Sequence, residues 1–305
     1  MNFNTIFLFF LLSFSFISNG QNASINKEVL LNETTLLNHL ETLSSDLYEG
    51  RRTGTKGGVK ARKYIVNQFH LLDVLPFKEN YEHFFSFKAS GKRYEGANVL
   101  GLVKGTESPH KYIVISAHYD HEGIKKKKIY NGADDNASGI SALFAFAEYF
   151  KKNPPKHSVI LIAFDAEELG LKGSKHFVES ASIPHHKIVV NLNMDMISRS
   201  DNDELFVVGT RYNKTLKYLV STFKQSNKIK LTIGHDGEDG KENWTYSSDH
   251  ASFHKREIPF LYFGVADHKD YHEPTDDFKN IHPEFYKDAV KTIILLFEKV
   301  DASHF

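Results

Sequence analysis

Five apolar runs in this chain each break off into a short segment rich in acids, histidines and glycines. The segments are SAHYD (116–120), NGADDNASG (131–139), AFDAEELG (163–170), NLNMDM (191–196) and DYHEPTDDF (270–278). Several of the runs, YIVIS and SVILIAF above all, are continuous in Val and Ile, so both faces of the strands they predict must be covered. Runs of this kind recur at 97–103, 112–117, 158–164, 188–192, 205–209, 231–233 and 260–264, after a strand-like stretch at 81–87. Helical patterns lie among them at 139–151, 171–179, 212–225 and 283–300. Two further helices are expected at the front, one from a leucine stripe over 30–47 with Asn32 or Thr34 as N-cap, and one over 59–72. Between these two, EGRRTGTKGG (49–58) reads as a glycine-rich structural turn. No G-K-[ST] follows to make it a phosphate loop. The alternation predicts a three-layer α/β/α sandwich around a mixed, mostly parallel sheet.

In such sheets ligands bind beyond the carboxyl ends of the strands, which is where the five segments sit. They offer His118, Asp135, Glu168, Asp195 and His272, donors of the type that zinc takes. Cysteine is absent from the sequence, so thiolate ligands and disulfides are excluded. An unpaired Asp195 after a buried run would cost roughly 1–3 kcal/mol or more, and a metal removes that penalty. Asp134 and Asp135 are adjacent carboxylates that repel unless a cation or hydrogen bonds hold them. One of them can bridge two metals while Asn136 caps the following helix. Within the Glu167–Glu168 pair, one side chain can ligate and the other act as general base. Asp120, two residues after His118 on an extended strand, can orient a ring or its own loop. Tyr271 can donate to a developing oxyanion.

The ordered set H-x-D, G-A-D-D-N-A-S-G, E-E-x-G, N-x-D-M and Y-H-x-x-x-D resembles the secreted bacterial leucyl aminopeptidases with two co-catalytic zinc ions. Glutaminyl cyclases and the glutamate carboxypeptidase and transferrin-receptor group are related to them. EGRRTGT and SSDHASF extend the likeness to about residues 36–296. The resemblance implies that Asp135 bridges two Zn²⁺ ions, with His118 and Asp195 on one side and Glu168 and His272 on the other. It implies Glu167 as general base to a hydroxide bridging the ions, Asp120 in support of His118, and Tyr271 as the oxyanion donor. Tyr246, near the S-D-H motif, is the weaker candidate for that last role. The implied substrates are peptides with a free N-terminus, cut at their first bond.

A dipeptidase or carboxypeptidase of the same fold is the alternative, with Arg199 or Arg211 clamping a substrate carboxylate. Glutaminyl cyclisation and a non-catalytic binding role stand further back. Trp244, Tyr246, Phe253, Phe263 and Phe278 are candidates for an apolar specificity pocket. Basic and acidic residues balance at 38 each, so no global field argues for nucleic acid or an anionic membrane. The Lys125–Lys128 run reads as a solvated loop tip. At the N-terminus, the apolar stretch from Ile6 to Ile17 and the small residues after it read as a secretory signal over 1–20, too short to span a bilayer. This leaves residues 21–305 as one catalytic domain, exported to a periplasm or the medium, with no stable membrane insertion once the signal is removed.

Overall fold

A computed structural model of the chain describes residues 31–180, 183–224 and 227–303. The expected export signal at 1–20 lies outside them. Among the described residues no helix is long and apolar enough to cross a membrane.

The chain opens with α1 (Glu33–Leu43), where the Asn32 side chain accepts from the Thr35 N–H as N-cap. A short turn over Asp46–Arg51 leads into α2 (Lys56–Leu71), which starts three residues before the expected Val59. The added turn contains Gly57 and Gly58. Side chains there would collide with the Tyr48 and Arg52 carbonyls, so glycine lets the Asp46–Arg51 turn press against the helix. Then come β1 (Leu75–Pro76), β2 (Glu82–Ala89), β3 (Lys92–Val103), β4 (Ser108–His118) and a small hairpin of β5 (Gly123–Lys125) and β6 (Lys128–Tyr130). After α3 (Gly139–Lys152) follow β7 (His157–Phe164), α4 (Lys172–Glu179), β8 (Ile188–Met194), β9 (Glu204–Val208), α5 (Lys214–Ser221), β10 (Lys230–Ile233), α6 (His250–His254), β11 (Phe260–Gly264) and α7 (Pro283–Asp301). Every strand expected from the sequence forms. Among the described residues, the helix expected over 212–225 is confined to α5, whose Asn213 cap fixes its start. The Lys125–Lys128 run is the exposed turn of the β5–β6 hairpin.

Nine strands form one mixed sheet in the order β1-β3-β7-β4-β8-β11-β9-β10, with β2 also paired to β3. The middle strands β7, β4, β8 and β11 run parallel, as does the β9–β10 pair, while β1, β2 and β3 add antiparallel on one side and β9 meets β11 antiparallel on the other. All eight residues of β7 and all seven of β8 are buried. Alternation along β7 sends Val159, Leu161 and Ala163 to the face covered by α1, α2, α3, α5 and α7, and Ile160, Ile162 and Phe164 to the face covered by α4 and α6. Helices on both faces give the three layers, as expected.

Register then positions the chemistry. His118 lies beside Phe164, Ser116 beside Asn193 and Met194 beside Phe263, so β4, β7, β8 and β11 end along one edge. The segments that follow them meet there.

Candidate active site

His118 closes β4, and Asp195 follows the last residue of β8, which puts both on strand ends. His118 Nε2 lies 3.2 Å from Asp195 Oδ1 and 3.3 Å from Asp135 Oδ1. On the other side, His272 Nε2 lies 3.2 Å from Asp135 Oδ2 and 3.4 Å from Glu168 Oε2. The two oxygens of Asp135 therefore face two different donor groups. A tetrahedral zinc with bonds near 2.0–2.1 Å spaces its ligand atoms by roughly 3.3 Å, so these separations suit zinc. Glu168 Oε1 is buried without a hydrogen-bond partner, which is the kind of atom a cation satisfies. The donor set of carboxylates and imidazoles fits the metal.

Asp134 and Asp135 have separate tasks. Asp134 Oδ1 accepts from the Ser198 N–H and hydroxyl, and Oδ2 lies 3.0 Å from His268 Nε2, so this carboxylate ties loops together. Asp135 faces the donors. Asp276 accepts from the N–H groups of both residues. Asn136 accepts from the Gly139 N–H at the head of α3 and donates to the Met194 carbonyl, so it caps the helix and pins it to β8.

Asp120 supports the site through two different atoms. Its carbonyl lies 3.1 Å from His118 Nδ1, while its carboxylate is 3.8 Å from that nitrogen. The carboxylate instead receives the backbone N–H groups of Glu167 and Glu168 at 3.0 and 3.3 Å. Thr53 donates to it and to Asp165. Asp120 thus holds the His118 ring with its backbone and the turn carrying both glutamates with its side chain.

Two functional residues escaped the sequence reading. Arg51, fully buried, donates to the carbonyls of Leu43, Tyr119, Asn131, Gly132 and Asp135. Burial pulls its pKa down to about 10 and the carboxylates of Asp135, Asp276, Asp120 and Glu168 pull it up, so it stays a cation at neutral pH. His121, also fully buried, sits against Glu168 and Asp135. Its position directly after H-Y-D was the signal available.

A pocket of about 130 Å³ opens over these donors, lined among others by Glu167, Glu242, Trp244, Tyr262, Val265, Asp267 and Tyr271. Burial raises the Glu167 carboxyl well above its usual range, with Asp195, Asp249 and Glu168 adding to the rise and His118 opposing it. Burial and Asp135 work to raise Glu168, but His121 and His272 hold it down at about 2. Burial likewise opposes the protonation of His272, and Asp135 and Glu168 outweigh it to bring its pKa to about 11. The carboxylates of Asp135 and Glu168 are thus kept ionised and in demand of positive charge, while Glu167 is kept proton-hungry.

The pocket differs from expectation in its walls. Of the five aromatic candidates only Trp244 lines it. Phe253 and Phe263 are buried in the cores on opposite faces of the sheet, Phe278 packs at the edge of one core, and Tyr246 is exposed against His254. Arg199 is buried in an ion pair with Asp270, Arg211 forms an exposed pair with Glu238 at 3.4 Å, and neither arginine lines this pocket. Among the described residues, no lysine or arginine lines the pocket.

A mixed α/β/α sandwich with imidazole and carboxylate donors converging at the carboxyl edge of its parallel strands defines the architecture of a zinc peptidase. Residues 98–297 match the model of peptidase family M28, and the chain belongs to that family. It is 33% identical over 208 residues to the aminopeptidase YwaD of Bacillus subtilis, a match covering 63% of this chain and 42% of that protein. The chain therefore spans less than half the length of that relative. In fold it is similar to the LapA aminopeptidase of Legionella pneumophila, with TM-score 0.68 and 20% identity, covering 90% of this chain and 72% of the other. It is also similar to the glutaminyl cyclase of Porphyromonas gingivalis, with TM-score 0.71 and 14% identity, covering 88% and 99%.

Proposed function

We propose that this chain is a two-zinc aminopeptidase that removes the first residue of peptides with a free N-terminus, and that residues 21–305 act as one exported catalytic domain. The observation that carries this reading is the pair of donor groups sharing Asp135, set under a pocket with carboxylates and no lysine or arginine among its described lining residues. Glu242 and Asp267 on that lining favour a positively charged substrate end and disfavour a carboxylate. The pocket is smaller than the ~300 Å³ at which drug-sized sites begin. It fits one residue beside Trp244, Tyr262, Val265 and Met196, which suits an exopeptidase.

Bound zinc would supply Lewis acidity, polarising the scissile carbonyl and lowering the pKa of the attacking water. Glu167, on the pocket wall beside the donors, would take that water's proton and return it to the leaving amine. Tyr271 lies on the pocket wall, stacked on the His272 ring at 4.0 Å, where its phenol can donate to the developing oxyanion. Asp120 and Asn136 fix the backbone around these groups.

The test is release of the first residue from peptides with free or acetylated N-termini and free or amidated C-termini, with chelator treatment and zinc add-back. Cutting that requires the free amine and returns with zinc is the expected result. Cutting that requires a free carboxylate would replace this reading with a carboxypeptidase. Export is supported by the apolar stretch from Ile6 to Ile17, and its check is the N-terminal sequence of protein recovered outside the cytoplasm.

A further inference from the structure

We propose that His121 is an additional metal ligand, so that the loop-side zinc is held by His121, Asp135, Glu168 and His272. The inference rests on the two-zinc reading and goes beyond it, since the family resemblance assigns that side no second imidazole. His121 Nδ1 lies 2.8 Å from Glu168 Oε1 and 3.5 Å from Asp135 Oδ2. At 2.8 Å an aligned N–H and carboxylate would form a strong hydrogen bond. They form none. Nδ1 and Nε2 of His121 and Oε1 of Glu168 are all buried and without an aligned hydrogen bond. Two complementary groups that approach this closely without pointing at each other are placed as ligands are placed around a shared ion.

The neighbouring atoms complete the enclosure. Glu168 divides its oxygens between two imidazoles, Oε1 towards His121 and Oε2 towards His272, and both rings also face Asp135 Oδ2. The two ring centroids are 5.9 Å apart. His121, Asp135 and Glu168 each bring a ligand atom within 4.8 Å of the others. Burial sets a clear contrast between the two imidazoles. His121 is fully enclosed, and Gly132 makes room for it, since a Cβ there would press on the ring. His272 sits on a loop with 38% of its side chain exposed. Left without a metal, the His121 ring would carry two buried nitrogens with no aligned partner, which is costly; ligation satisfies Nδ1.

Zinc X-ray absorption on the wild-type holoenzyme counts imidazoles without any substitution. The expected result is three imidazoles shared by two zinc ions, and two imidazoles would overturn the assignment. Elemental analysis after stepwise chelation gives the second readout. H121N is expected to weaken one zinc equivalent by more than the ~10–100-fold typical of groups that touch a ligand without binding metal, and wild-type retention would again overturn the proposal. Thermal unfolding of metal-free H121N separates lost affinity from lost fold. Wild-type protein that takes up one zinc would sink the two-zinc reading, and the His121 assignment then stands or falls on whether H121N loosens that ion. No uptake at all would overturn both.

Discussion

The two donor groups that share Asp135 are built on different material. His118 and Asp195 are delivered by β4 and β8, strands with no exposed residue over their last five positions, and their separation is fixed by sheet register. Glu168 and His272 stand on loops, and other groups hold them there. Asp120 receives the backbone of the glutamate turn, and Arg199 with Asp270 and Thr275 ties down the segment carrying His272. A strand supplies position through its ladder, whereas a loop must be given position by hydrogen bonds from elsewhere, each one a point where the site can be loosened.

The largest effect should come from the residue common to both sides. Asp135→Asn is expected to lose affinity for both zinc equivalents and reduce turnover below detection, as read by elemental analysis with peptide assay. Retention of the strand-side ion alone would show that Asp135 does not serve both. Next, Glu167→Gln should lower kcat by about 10²–10⁴-fold with zinc content intact. Persistent hydrolysis would remove Glu167 as the base. Smaller still, Asp270→Asn should loosen the loop-side zinc by roughly 10-fold, within the range for groups that support a ligand, and leave the strand-side ion unchanged. Equal loosening of both ions would break the contrast between strand and loop.

The smallest effect is a pH slope of the metal-free protein. Burial lowers His39 to about 4. Between pH 6.5 and 4 the unfolded chain therefore binds the proton that folded His39 refuses, and stability falls as the pH drops. His272, raised to about 11 by its carboxylates against the effect of burial, behaves oppositely: its contribution is full below pH 6.5 and is lost as the pH rises towards 11. His39→Gln and His272→Gln should thus change the slope of urea-unfolding stability against pH in opposite senses. Slopes that move together would refute the distinction.

Much of this was legible because it is local. A β7 that is fully buried and apolar from Val159 onward, and the acids just beyond it, lie within a dozen residues, so the strand, its end and its chemistry appear in one stretch of sequence. The specificity wall was less legible. Phe260 and Tyr262 turn to one face of β11, Leu261 and Phe263 to the other, and only the paired sheet says which face the pocket shares. Arg199 looked free in the sequence because its partner, Asp270, is 71 residues away. His121 stood in plain sight, but its meaning comes from Glu168, which folding brings to it. Contacts of that reach leave no periodic trace.

Arg51 ties the start of the chain to the loops of the site. Its guanidinium donates to carbonyls at Tyr119, Asn131, Gly132 and Asp135, which leave the ribosome 68 to 84 residues after it. The family match begins at residue 98, so a fragment cut to that boundary would contain every implied zinc ligand and lack the donor that anchors the loops around His118 and Asp135. The shortest stretch able to hold these loops as they are held here reaches back at least to residue 51.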